Sequence, residues 1–340
     1  MRRRALTDLP TLAQRLRDGD QRALARAISL VESGASERDR LMELLSAPPS
    51  TEASHPDLQE QTAHHQGARN GWVIGVTGPP GVGKSTLIGN LIMSVRAKGE
   101  RVAVLAVDPT SPFSGGALLG DRVRMNLHGT DPGVFIRSMA SAGHSGGLSP
   151  SAVETVTLLH AAGYGTVIVE SVGVGQSEIG ILTLADLVLV VLQPGAGDEI
   201  QALKAGVLEI GDIFVVNKAE QPGSDALIRA LNEMVANSNR SSLTPEVTST
   251  VALDGTGIEE LYSSLLARFA ELSRNGELRE RRQQRLVGAL EEMAVDLFKE
   301  WIARKGLTDP RGGVPFATLR RSLSELLEAL EERRHDKKKP

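Results

Sequence analysis

Gly78-Pro79-Pro80-Gly81-Val82-Gly83-Lys84-Ser85-Thr86 constrains this chain more than any other stretch. It fits the pattern G-x-x-x-x-G-K-[ST] throughout. Before it, Trp72-Val73-Ile74-Gly75-Val76-Thr77 reads as a buried strand; after it, Leu87 to Lys98 reads as an amphipathic helix. A strand, a glycine loop and a helix in that order make a cradle for polyphosphate. Backbone N–H groups in a tight loop, aided by the open helix N-terminus, face dense negative charge. Gly78, Gly81 and Gly83 permit a close approach that a Cβ would forbid. In such a loop Lys84 bridges the β and γ phosphates and Ser85 places its hydroxyl on Mg²⁺, with Val82 and Thr86 completing the nucleotide-binding run.

From Gly71 onward, apolar runs alternate with helical ones. Strands are expected at Arg101–Val107, Thr166–Val169, Leu187–Leu192, Ile213–Val216 and Glu246–Thr250. Helices are expected at about Ser151–Ala162, Asp198–Ile210, Ser224–Ala236 and Ile258–Leu272. The fold class that follows is α/β: a doubly wound, mostly parallel sheet with helices on both faces. In such sheets ligands sit at the carboxyl ends of the strands. Asp108, Glu170 and Asn217 each stand just after an apolar run, and so belong at that edge.

Helical segments flank the sheet domain. Leu12, Leu16, Leu24, Ile28 and Val31 recur at helical spacing within residues 9–46; Gly19-Asp20 breaks that stretch and can cap its second helix, and Gly34 marks a stop. Residues 47–71, with Pro48, Pro49, Pro56 and the dispersed His55, His64 and His65, read as a solvated linker rather than a metal site. Beyond Ser273, Arg279 to Arg285 is a charged helical run that leads into Leu286, Leu290, Met293, Leu297 and Trp301. A final helix is expected over Phe316–Glu332, after a glycine and proline break. The expected division is 1–66 (helices and linker), 67–272 (nucleotide-binding domain) and 273–340 (helical arm and tail).

Composition removes several functions. The chain has no cysteine, which excludes disulfides, thiolate zinc sites and cysteine nucleophiles. A formal net charge of −4 argues against a general nucleic-acid binder. No apolar run approaches a membrane span, and Met1-Arg2-Arg3-Arg4 lacks the apolar block of a secretory signal, so the cytoplasm is the expected compartment.

A nucleotide switch also needs acidic groups for magnesium, a γ-phosphate sensor and a base reader. The glycine-rich stretch from Asp108 to Arg122 is bracketed by two carboxylates, Asp108 and Asp121, both candidate magnesium ligands. Glu170-Ser171-Val172-Gly173-Val174-Gly175-Gln176 has the form of a second switch. There Glu170 faces the metal, Gly173 can offer its N–H to the γ-phosphate, and Gln176 or Glu178 can orient the attacking water. Asn217-Lys218-Ala219-Glu220 occupies the base-reading position. Guanine presents two adjacent donors that a carboxylate accepts, whereas adenine presents an acceptor at N1 and is rejected. The loop Val251-Ala252-Leu253 would close over the base with backbone N–H groups. The catalytic set is therefore Lys84, Asp108, Glu170 and Gln176, and the metal set Ser85, Asp108, Asp121 and Glu170.

These stretches resemble the MeaB/ArgK-type P-loop GTPases, G-protein chaperones of adenosylcobalamin-dependent acyl-CoA mutases. The likeness covers roughly residues 9–305 and rests on Gly19–Ile28, Gly78–Thr86, Asp108–Arg124, Glu170–Glu178, Gly197–Gly206 and Asn217–Glu220. It implies a mutase as the partner that raises GTP hydrolysis, which is expected to be slow by itself because the sequence has no evident arginine finger. It implies that Asp198–Lys204 signals nucleotide state to that partner, through Gln201 and Lys204, and that the carboxy-terminal helices dimerise. Glu220 departs from the Asp usual in the family, Ala142 stands where an Arg is usual, and residues 306–340 exceed the likeness. An ATP-dependent kinase linked to amino-acid transport is the alternative reading, and Asn217, Lys218 and Glu220 speak against it. A nickel-insertion GTPase is disfavoured by the absence of cysteine pairs and histidine-rich tracts.

Overall fold

A computed structural model describes residues 8–33, 36–46, 71–108, 130–140, 150–171, 184–195, 211–237 and 243–304. Three helices come first: α1 (Leu9–Arg17), α2 (Gln21–Glu32) and α3 (Glu37–Ser46). Asp20 caps α2 as its sequence position predicts, its carboxylate accepting from Arg22 N at 2.8 Å and Ala23 N at 3.1 Å. The order then runs β1 (Trp72–Thr77), α4 (Lys84–Ala97), β2 (Val102–Asp108), β3 (Val134–Ala140), α5 (Pro150–Ala161), β4 (Thr166–Ser171), β5 (Leu187–Leu192) and β6 (Ile213–Asn217). It ends with α6 (Ser224–Ala236), β7 (Glu246–Thr250), α7 (Ile258–Asn275) and α8 (Glu277–Arg304).

The strands form one seven-stranded sheet in the order β3-β2-β4-β1-β5-β6-β7, and every pairing is parallel. All side chains of β1, β4, β5 and β6 are buried, because helices cover both faces and no strand face is left for water. One face packs Ile74, Val76, Ile168, Leu189 and Val191 against Leu87, Ile88, Leu91 and Ile92 of α4 and Leu261 and Leu265 of α7. Each such fully buried aliphatic side chain contributes roughly 1.5–3 kcal/mol. On the other face Val73, Leu105, Val167 and Val169 meet Leu158 and Leu159 of α5, in one cluster with α1, α2 and α3. The register pairs Gly75 with Val188, so Val188 and Val190 point to this second face, where Leu227 and Leu231 of α6 cover them.

Two differences from the sequence reading are physical. Edge strand β3 is not among the expected strands, although Val134-Phe135-Ile136 is apolar; its middle, Arg137-Ser138, is polar because an edge strand meets solvent and α2. There Arg137 pairs with Glu32 of α2. Helix α4 starts at Lys84, three residues before the expected Leu87, because the phosphate loop runs straight into the first helical turn.

A buried charge cluster ties the first turns of α8 to the amino ends of β5 and β6. Asp186 and Asp212 are fully buried, each just before a strand. Their carboxylates accept the N–H groups of Val73 (2.9 Å) and Val188 (2.8 Å). Arg282 and Arg285 pair with Asp186 at 2.7 and 2.8 Å, and Arg281 pairs with Asp212 at 3.0 Å. Burial pushes the Asp186 carboxyl up, but the hydrogen bond from Arg282 and the two positive charges bring it below the usual carboxylate range. Nearby, His160 donates from Nδ1 to Tyr164 O at 2.9 Å, and burial holds its pKa below the ordinary histidine value.

The chain divides into two compact units, 1–286 and 287–340. In the second, the described residues are the remainder of α8, with Val287, Leu290, Val295 and Leu297 exposed and the rings of Phe298 and Trp301 stacked 5.9 Å apart. No helix among the described residues is long and apolar enough to cross a membrane.

Candidate nucleotide-binding site

The site gathers at the carboxyl ends of β1, β4, β5, β6 and β7. Connections from β1 to β2 run to one side of the sheet and those from β5 to β6 and β7 run to the other, so a crevice opens beyond β1. The phosphate loop fills the turn between β1 and α4. Gly78 lies at φ +140°, and a Cβ there would stand 2.1 Å from Val191 O. Gly83, at φ +97°, caps α4 with no side chain, and a Cβ there would stand 2.4 Å from Asn217 Nδ2. Only glycine fits either place. The first N–H groups of α4 therefore stay unobstructed at the positive end of the helix dipole.

Lys84 is 7% exposed, and its Nζ donates to Gly78 O at 2.6 Å and Pro79 O at 3.0 Å. The ammonium is thus drawn over the loop that would hold the phosphates. Ser85 Oγ donates to Glu170 Oε1 at 3.1 Å. Glu170 is buried within β4, between Val76 of β1 and Ala106 of β2. Below it Ser171 Oγ donates to Thr77 Oγ1 at 3.0 Å, locking the strand ends together. The hydroxyl of Ser85 and the carboxylate of Glu170 are hard oxygen donors at the head of a phosphate cradle. They fit Mg²⁺, which takes one or two protein oxygens and completes its shell with water and phosphate.

Asn217 organises the other half. Its Nδ2 donates to Val82 O in the phosphate loop at 2.7 Å. Its Oδ1 accepts from Ala252 N at 3.0 Å and Thr250 Oγ1 at 3.1 Å. One buried carboxamide therefore joins the phosphate loop, β6 and the loop after β7. Lys218 follows with its Nζ on Gly81 O at 2.8 Å. Ala219 N donates to Thr250 O at 3.1 Å, which turns the chain so that Glu220 is exposed beyond the strand end. The loop after β7 is a tight turn: Val251 N donates to Thr256 O at 3.0 Å, and Asn90 of α4 holds Ala252 O at 2.6 Å. Thr256 N–H holds the Asp254 carboxyl below its usual pKa. Leu253, at the tip, is 91% exposed.

The fold thus brings together Gly78, Gly81, Val82, Gly83, Lys84, Ser85, Glu170, Asn217, Lys218 and Ala252. Thr86, in the first turn of α4, and Val251, beside Ala252, lie on the same elements. Asp108 ends β2 in register with Ala140, at the edge where Glu170 lies. Asp121, Gly173, Gln176, Gln201 and Lys204 lie outside the described residues, as do the expected helices over 198–210 and 316–332 and most of the linker. Gln193, Thr250 and Asn90 are site residues that the sequence reading did not single out. Gln193 carried a signal, since it directly follows an apolar run of the sequence, just as Glu170 and Asn217 do.

Residues 24–305 match the family model described as methylmalonyl-CoA mutase-associated GTPase MeaB. A Pyrococcus abyssi protein is 43% identical over 279 residues, covering 81% of this chain and 80% of its own length. The GTPase ArgK of Escherichia coli is 37% identical over 285 residues, 82% of each chain. The mouse methylmalonic aciduria type A homolog, a mitochondrial protein, is 32% identical over 290 residues, 83% of this chain and 69% of that one. A crystal structure titled LAO/AO transport system kinase superposes with a TM-score of 0.65 at 27% identity, covering 95% of this chain and 99% of that one. The chain belongs to the MeaB family of mutase-associated GTPases, and its reaction is the hydrolysis of GTP to GDP and phosphate.

Proposed function

We propose that this GTPase is a chaperone of an adenosylcobalamin-dependent acyl-CoA mutase, with methylmalonyl-CoA mutase or a close relative as the partner. GTP hydrolysis would gate loading of intact cofactor and help expel damaged cofactor. The family membership carries the mutase link. The geometry that supports a switch is the bracket made by Asn217, which couples the phosphate loop to the base-side loop through one side chain. When bound, Mg²⁺ would neutralise charge on the β and γ phosphates, held by Ser85 with Asp108, Asp121 and Glu170 as the acidic partners. Gly173 would sense the γ-phosphate and Gln176 would orient water. Glu220 would accept from the guanine edge with Val251, Ala252 and Leu253 over the base. Gln201 and Lys204 would carry the signal to the mutase.

A homodimer through the carboxy-terminal helices is part of the same proposal. It is supported by exposed Leu286, Leu290 and Leu297, which recur at helical spacing on α8. Cytoplasmic residence, with neither nucleic acid nor membrane as partner, completes it. The test is phosphate release with purified mutase added. Turnover is expected to rise with the mutase, and Lys204→Ala to blunt that rise while sparing basal turnover. A mutase that neither co-purifies with the chain nor changes its turnover sinks the chaperone reading. Phosphate transferred to an acceptor from ATP, in place of release from GTP, would favour the transport-kinase alternative.

A further inference from the structure

Gln193 directly follows β5, in the first residue of the turn at the site's edge. Its Oε1 accepts a hydrogen bond from Lys218 Nζ at 2.6 Å, and the same ammonium donates to Gly81 O at 2.8 Å. Lys218 sits at φ 56°, the one non-glycine residue with positive φ among the described residues. A bulky residue there is strained, and its conformation persists only where the surroundings enforce it. Asn217 beside it grips Val82 O at 2.7 Å. Two consecutive residues of one strand end therefore hold two consecutive carbonyls of the phosphate loop.

A lysine ammonium has three donors on a flexible four-carbon stem. With Gly81 O as sole anchor the stem could swing away; a second acceptor just past the end of a neighbouring strand fixes its direction. We propose that Gln193 is a positioning residue: it pins Lys218 against the phosphate loop, and so sets how long a guanine nucleotide stays bound. The inference rests on the GTP-switch reading above. Gln193 acts through Lys218, and the charge-assisted bond between them is the stronger kind.

The experiment is release of a fluorescent GDP analogue, chased with excess GDP in the presence of magnesium. Gln193→Leu and Gln193→Ala both remove the acceptor and are expected to speed release about tenfold. Gln193→Glu keeps an acceptor at the same reach and is expected to release no faster than the parent. Because the effect passes through Lys218, adding Gln193→Leu to Lys218→Ala should change the rate no further. Parent-like release from both Gln193→Leu and Gln193→Ala overturns the role while leaving the GTP reading intact. A full extra tenfold on top of Lys218→Ala also overturns it, since the glutamine would then act independently. A parent that retains no analogue overturns this inference and the GTP reading together.

Discussion

At the residue scale, Asn217 carries most of the site's internal order. It makes three buried hydrogen bonds that join two segments, the phosphate loop at Val82 and the end of β7 with its loop at Thr250 and Ala252. Asn217→Ala would leave Val82 O and Ala252 N without their partner in a buried setting, at roughly 1–3 kcal/mol each. The expected result is GDP affinity lowered about a hundredfold or more, together with a lower denaturation midpoint. Unchanged GDP affinity, measured by equilibrium titration, would mean that the bracket is structural decoration. The type of this residue was legible in the sequence, through Asn217-Lys218 after an apolar strand. Its grip on Val82 was not, because the two residues lie 135 positions apart and only the sheet order brings them together.

At the scale of elements, the first turns of α8 are fastened to the sheet by a buried charge cluster, beside the apolar contact of Leu278 with the core. Asp186 is wholly buried while Arg285 and Arg282 remain 13% and 36% exposed, so the arginines keep some water and the aspartate has none. Removing the buried partner is the costly direction. Asp186→Ala is expected to lower unfolding free energy by about 3 kcal/mol, read from a denaturant midpoint at constant slope. A loss below about 1 kcal/mol, the scale of an exposed ion pair, would contradict the clamp. The sequence showed Arg279–Arg285 only as a charged helical run. A hint lay in Asp186 and Asp212, each immediately preceding a fully apolar strand, where a lone carboxylate demands a cationic partner. The strands with both faces covered, β1, β4, β5 and β6, were legible because continuous apolar runs have few other uses. Edge strand β3 was not, since Arg137-Ser138 interrupts its apolar run to meet solvent and α2.

At the scale of the whole molecule, the sheet works as a plate with two differently equipped ends. The amino ends of β5 and β6 hold Asp186 and Asp212 and their arginines; the carboxyl ends hold Gln193 and Asn217. A nucleotide switch was legible from the motifs and their spacing, whereas the family and its mutase partner came only with the resemblance. Composition and periodicity say nothing about a partner's surface. The central claim is that a guanine nucleotide is gripped by main-chain amides and Lys84, and that Asn217 and Glu220 select its base. Calorimetric titration of the purified chain with magnesium and GDP, GTP or ATP tests this most directly. The account predicts binding of GDP and GTP, ATP weaker by about a hundredfold or more, and loss of GTP hydrolysis in Lys84→Ala. Uptake of ATP as tight as that of GTP, or no uptake of any of the three, would contradict it.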